Sequence, residues 1–270
     1  MMVRPPRRRR LRALPVNHLL PNMLTVFGLC SGFSAVHFAF QDRYETALVC
    51  LLLAVILDAL DGRLARLLRV TSEFGAQLDS LADIVNFGVA PALVLYSWSV
   101  NQLGNLGWVL VLLFVVCCAL RLARFNAGLN APEPTPLSSA FFTGVPAPAG
   151  GGVVILPMLL SFTMGPGWFD QPILVGMHML VMALMMASRI PTYSVKRFRL
   201  MQDHVVPALL AVALLAALLV TFTWWTLTVL IIAYLASIPF SCLAYRRAKR
   251  ALALGPQSPA ESESDRVDPS

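Results

Sequence analysis

Charge is what this sequence has least of. Only 13% of its 270 residues are Asp, Glu, Lys or Arg, whereas soluble domains run near a quarter. With 57% hydrophobic residues and a mean hydropathy of +0.71, that deficit excludes an ordinary soluble domain. Cysteine is also sparse. Cys30, Cys50, Cys117, Cys118 and Cys242 all sit in apolar stretches, and none forms a C-x-x-C pair. That excludes a disulfide framework and a thiolate zinc site, leaving reduced, buried thiols. The Arg-rich start is followed by a long apolar run without an A-x-A-like site, so no cleavable signal peptide is expected. There is no internal repeat. A net charge of +7 suits nucleic acid in a soluble protein, but here the arginines flank apolar spans, where they set topology. No nucleic-acid partner is expected.

What is present is a series of apolar stretches long enough to cross a bilayer, which takes roughly 20 residues each. Lipid cannot satisfy open backbone groups, so the spans are helical. Eight are expected, near residues 18–40, 45–69, 73–99, 104–128, 140–163, 172–190, 203–221 and 224–245. The fold class is therefore all-α, a polytopic helical membrane protein. Residues 1–16 form a basic tail, 17–250 the transmembrane domain, and 251–270 an acidic tail expected to be disordered. With both termini in the cytoplasm, Arg43 alone of the 21 Lys and Arg residues falls on the far side. This matches the positive-inside rule and predicts a multi-pass protein of the cell (inner) membrane.

Four acids break the apolar pattern. Asp58 and Asp61 lie near the end of the second span, Asp79 and Asp83 near the start of the third. An acid at a span centre costs about 2.5–3.5 kcal/mol on insertion scales, and such groups are functional by default. Spacings of three and four put each pair on one helix face. The short turn around Arg69 to Glu73 should make the two helices antiparallel neighbours, so that the pairs converge. Converging carboxylates repel unless cations intervene. Hard oxygen ligands suit Mg²⁺, Mn²⁺ or Ca²⁺, and two such ions suit a phosphoryl-type displacement. The bland alternative is a set of surface acids paired with Arg63, Arg66 and Arg69.

The run Asp58-x2-Asp61-Gly62-x2-Ala65-Arg66-x8-Gly75-x3-Asp79-x3-Asp83 resembles, without departure, the signature of the CDP-alcohol phosphotransferases. The resemblance implies a six-helix core, a homodimer and a two-metal site open to the cytoplasm. By that analogy Asp58, Asp61, Asp79 and Asp83 hold two divalent cations, and Asp83 is also the general base. Gly62, Arg66 and Gly75 contact the CDP moiety. The chemistry agrees. Glycine lets a nucleotide approach the backbone, arginine presents a fork of donors to phosphate, and a hydroxyl nucleophile needs a base.

Four further segments, opening at Pro21, Arg121, Phe142 and Ser188, resemble the phosphatidylserine synthase branch of that family. The resemblance thus spans roughly residues 17–199 and implies CDP-diacylglycerol as donor, L-serine as acceptor and CMP as product. Asn22 and Thr25 either hydrogen-bond the nucleotide or cap the first helix. Arg121 and Arg124 either bind lipid phosphate or the serine carboxylate, or anchor the span at the surface. Asn126 fixes an orientation or caps a helix end. Gly144-Val145-Pro146 is a re-entrant bend or a plain junction. Tyr193 and Lys196 complete an acceptor pocket, or Lys196 is surface charge. The basic tail can also attract anionic membrane lipids. Charge alone does not choose the acceptor, because glycerol 3-phosphate and inositol phosphate also favour these cations. Readings from other classes are a divalent-cation transporter and a non-catalytic scaffold.

Overall fold

The computed structural model describes residues 19–70, 72–129, 141–188, 191–193 and 205–253. Helix α1 spans Leu19–Ala39 and α2 spans Tyr44–Leu68. The third span is α3 (Glu73–Asp83), a wide π-turn (Ile84–Val89) and α4 (Ala90–Trp98). A short 3-10 turn leads to α5 (Asn105–Leu129). Then come α6 (Ala147–Val154), α7 (Leu156–Met164), α8 (Pro172–Ala187), α9 (Val205–Thr221) and α10 (Thr223–Ala253). All eight expected spans are therefore helical, and the protein is a multi-pass membrane protein.

Among the described residues, five helical segments are long and apolar enough to span a bilayer. Helix α2 has the length but also carries Asp58, Asp61, Arg63 and Arg66. The surface fits a lipid setting, since large apolar side chains such as Phe33, Trp168, Ile173 and Leu209 point outward. The interior mixes Val, Leu and Phe with many alanines and with sulfur-bearing Met158, Met179, Met182, Met186, Cys117 and Cys118. Along α1 the buried face is Gly28, Ser31, Gly32, Ala35 and Ala39, which lets α2 approach closely. Ser31 Oγ donates to Cys50 O across that seam at 2.7 Å. Cys30, Cys50, Cys117 and Cys118 are free thiols, as expected, but only Cys117 and Cys118 are buried; Cys50 is half-buried and Cys30 lies exposed on the apolar outer face.

Three local features depart from the sequence expectations. First, the fifth span begins at Ala147 rather than near residue 140, and its helix breaks at Ile155. Pro157 lacks the N–H that would tie it to the preceding turn. Second, residues 141–143 pair antiparallel with 191–193, Phe141 opposite Tyr193 and Thr143 opposite Pro191. This three-residue ladder is too short to leave a periodic signal, and it adds a small ribbon to an otherwise helical chain. Gly144, at φ +82°, turns the chain from the ribbon toward α6. A Cβ there would sit 2.8 Å from Ser188 O, so both conformation and space call for glycine. Third, α2 and α3 are not packed along one another; α1 packs against both. Arg69 adopts a left-handed conformation (φ +53°) and closes α2 by donating its N–H to Ala65 and Arg66 carbonyls.

Candidate active site

Helix α3 starts where Ser72 accepts a hydrogen bond from Gly75 N at 3.0 Å, an N-cap. This cap directs Asp79 and Asp83 back toward α2. Carboxylate oxygens of Asp58, Asp61 and Asp79 lie within 4.8 Å of one another. The Asp83 carboxyl is within hydrogen-bond reach of Asp58, and its Oδ1 is buried without a partner among the described residues. The convergence expected from the spacing is thus present, carried by the side chains rather than by close packing of the two helices.

No Lys or Arg among the described residues forms an ion pair with these acids. The groups around Asp61 are Thr25, Asp58 and the Gly62 backbone. Arg66 Nε instead donates to Gly62 O at 2.9 Å. The surface-ion-pair alternative therefore fails. Like charges gathered in a partly buried site need a counter-charge. An all-carboxylate donor set is what Mg²⁺, Mn²⁺ or Ca²⁺ takes, and the unpartnered Asp83 oxygen adds a further donor. The residues fit a divalent metal.

Beside the acids opens a cavity of about 190 Å³. Its lining includes Asn22, Thr25, Gly62, Arg66 and Gly75, every residue expected to contact CDP, together with Asp61, Asp79 and Ser72. Gly62 faces open space, since a Cβ there would meet nothing within 4 Å. Gly75 is confined, because a Cβ would lie 2.9 Å from Asn22 Oδ1 and 3.1 Å from Ser72 Oγ. Thr25 does more than line the cavity. Its Oγ1 lies 2.6 Å from Asp61 Oδ2 and 3.2 Å from Pro21 O. The short bond to a carboxylate is the stronger use of its one proton.

The remaining expected site residues separate. Arg121 is buried at 7% exposure, with its guanidinium carbon 5.4 Å from the Phe125 ring centroid. Arg124 is exposed, and its Nη1 donates to Ala187 O at 3.0 Å, bracing α5 against the end of α8. Asn126 neither caps a helix end nor faces the cavity. Its Nδ2 donates to Ser80 Oγ at 3.0 Å and ties α5 to α3. Tyr193 is placed by its backbone in the ribbon, and Lys196 lies outside the described residues.

Sequence reasoning passed over three polar residues. Ser72 carries the ordinary signal of an N-cap before Glu73. Asn86 sits buried in the π-turn against Gly28 and Gly32. Tyr234 of α10 has a buried hydroxyl with no partner among the described residues. The last two were legible only as single polar groups in apolar spans. One turn beyond Asp83, Asn86 also borders an apolar crevice of about 140 Å³, lined by Leu48, Leu51, Val55, Phe87, Leu227 and Ile231 among others.

A carboxylate cluster beside a cavity in a helical membrane bundle defines a class of membrane protein with an acidic site suited to a divalent cation. The comparisons with known proteins give the family. The model of the CDP-alcohol phosphatidyltransferases matches residues 18–192, and that of CDP-alcohol phosphatidyltransferase 2 matches residues 203–239. The chain belongs to the CDP-alcohol phosphatidyltransferase family. It is 38% identical over 230 residues to the CDP-diacylglycerol–serine O-phosphatidyltransferase of Mycobacterium tuberculosis, covering 84% of this chain and 79% of that one. The enzyme of the same name from Mycobacterium leprae is 38% identical over 236 residues, covering 87% and 77%. That of Helicobacter pylori is 39% identical over 150 residues, covering 55% and 61%.

Proposed function

We propose that this chain is a CDP-diacylglycerol–serine O-phosphatidyltransferase, moving the phosphatidyl group of CDP-diacylglycerol to the hydroxyl of L-serine with release of CMP. The observation behind this reading is the meeting of Asp58, Asp61, Asp79 and Asp83 at a cavity lined by Asn22, Thr25, Gly62, Arg66 and Gly75. The named relatives above support serine as acceptor.

The donor is a lipid with a charged head, and the site has matching halves. The cavity at the acids suits the nucleotide, with Gly62 leaving room beside the helix backbone. The apolar crevice suits hydrocarbon. Two divalent cations, Mg²⁺ or Mn²⁺ with Ca²⁺ as a further fit, would be held by the four Asp residues and would supply neutralisation of the pyrophosphate oxygens. Asp83 Oδ1 takes the proton from the serine hydroxyl as its oxygen bonds to the lipid-borne phosphorus. The pyrophosphate P–O bond to CMP breaks in the same displacement. Arg66 orients the phosphates or the cytosine, and Thr25 holds Asp61 in place.

The membrane disposition completes the reading: a cell-membrane protein with the acids and both termini on the cytoplasmic side, supported by the Lys and Arg distribution. The family resemblance supports a homodimer.

The test is CMP release by the purified protein with CDP-diacylglycerol and Mg²⁺ or Mn²⁺, comparing L-serine, glycerol 3-phosphate and inositol phosphate. Release with serine that a chelator abolishes is the expected outcome. Release with another acceptor alone overturns the serine assignment, and ion flux without release overturns the enzymatic one.

A further inference from the structure

Near Asp83 the fold buries polar groups without hydrogen-bond partners. Asp83 Oδ1 and the Tyr234 hydroxyl are both buried and unpartnered among the described residues. Arg121 is 93% withdrawn from solvent, at 7% exposure. It touches the face of Phe125 but forms no hydrogen bond or ion pair among the described residues. It lies within electrostatic reach of both Asp83 and Tyr234. On α5, Asn126 donates to Ser80 Oγ and Cys118 lies against Gly88, so the helix carries Arg121 past Asp83, with Tyr234 of α10 within electrostatic range of the guanidinium.

A guanidinium keeps its charge and its five donors wherever it is placed. Burying it without acceptors is costly, and the cost is relieved when a ligand supplies them. A carboxylate matches the fork with two parallel bonds. The phenol can add a third donor. The charge count favours a mono-anion over a phosphate dianion. Arg124, the other cation nearby in the chain, is exposed and already donates to Ala187 O, leaving Arg121 as the buried cation among the described residues. In L-serine the carboxylate and the hydroxymethyl group share one carbon, so a carboxylate held at Arg121 leaves the hydroxyl free to turn toward Asp83.

We propose that Arg121 and Tyr234 form the carboxylate-binding half of the acceptor site, with the acceptor hydroxyl facing Asp83 Oδ1. The assignment rests on the reading of the acceptor as serine. It makes Tyr234, within the segment matched by the second family model, an acceptor-binding residue from outside the Asp signature, and it separates Arg121 from Arg124 in role.

The experiment compares L-serine with serinamide, which lacks the carboxylate, in the full-length protein with CDP-diacylglycerol and Mn²⁺. Tyr234→Phe should raise the KM for serine about 10-fold, the usual effect of losing one hydrogen bond to a charged group. The KM for CDP-diacylglycerol should stay within about twofold of wild type. Wild type should prefer serine over serinamide by about 100-fold or more in kcat/KM. Arg121→Met should collapse that ratio, and Arg121→Lys should restore part of it. An unchanged ratio in Arg121→Met, or in Tyr234→Phe a KM change confined to the lipid donor, overturns the assignment and leaves both residues structural. Tyr234→Phe removes a single oxygen and keeps the test open should Arg121→Met fail to fold. Failure of wild type to release CMP with serine would overturn the acceptor reading and this inference with it, a result visible before any variant is made.

Discussion

Thr25 Oγ1 hydrogen-bonds Asp61 Oδ2 at 2.6 Å, joining the first turns of α1 to the last turns of α2. The bond orients an acid that three other acids repel. Groups that orient metal-binding side chains typically change metal affinity or activity by 10–100-fold when removed. Thr25→Val should therefore raise the Mn²⁺ concentration for half-maximal CMP release about 10-fold, whereas Thr25→Ser should stay near wild type. Direct Mn²⁺ titration of the detergent-solubilised protein checks the same shift without turnover. Equal metal affinity in Thr25→Val and wild type would reduce Thr25 to a helix-terminus hydroxyl bonding Pro21 O.

The two signature glycines should fail in different ways. A methyl at Gly75 would press on Asn22 and Ser72, at 2.9 and 3.1 Å. It would disturb the α3 cap and the cavity wall together. Gly75→Ala should lower the melting temperature and raise the KM for CDP-diacylglycerol. A methyl at Gly62 meets no protein atom within 4 Å and only enters the cavity. Gly62→Ala should leave melting unchanged while raising the donor KM about 10-fold or more, the scale of a displaced close contact. Thermal unfolding beside donor kinetics separates the two, and equal losses of stability would refute the open-cavity assignment of Gly62.

Asp83 holds its place in the cluster through Asp58 and presents a buried, unpartnered oxygen. Replacing the carboxylate by an amide keeps the shape but removes the proton acceptor. Asp83→Asn should retain CDP-diacylglycerol binding and lose turnover by about 10²–10⁴-fold, the range of a general base. Full turnover in that variant would remove Asp83 from the base role.

Much of this site was legible in the sequence for a physical reason. Acids are so costly inside a span that Asp58, Asp61, Asp79 and Asp83 stand out, and helical periodicity gives each pair a common face. Positions of the apolar spans follow from length alone. The placing of α1 against both α2 and α3 did not follow, because a short turn does not say which third helix the pair leans on. Its contacts, such as that between Gly75 and Asn22 of α1, join residues far apart in sequence. The π-turn was equally hidden. Residues 84–89 read as unbroken helix, since the one-residue shift of phase at a widened turn leaves no mark in a span that is apolar on nearly every face. Arg121 and Arg124 look alike in sequence, one turn apart. Only packing shows the first buried and the second holding the end of α8.

The widened turn also explains why α1 must be glycine at residue 32. Asn86, within that turn and only 4% exposed, sets its amide against α1 so that a Cβ at Gly32 would overlap Asn86 Oδ1. Neither backbone can retreat easily, because Gly88 is held against Cys118, whose sulfur would lie 3.2 Å from a Cβ there. Gly32→Ala should therefore destabilise the protein by about 1–3 kcal/mol, the usual effect of overpacking a filled interior. It should also lower activity by shifting the turn that follows Asp83. The double variant Gly32→Ala, Asn86→Ala removes the overlap and should recover most of the lost melting temperature, since the two sites are in direct contact and their effects are not additive. Gly152→Ala serves as the control. A Cβ there meets nothing within 4 Å, so melting should match wild type. If Gly32→Ala melts with wild type as well, Asn86 is free to move and the turn after Asp83 is not braced by α1.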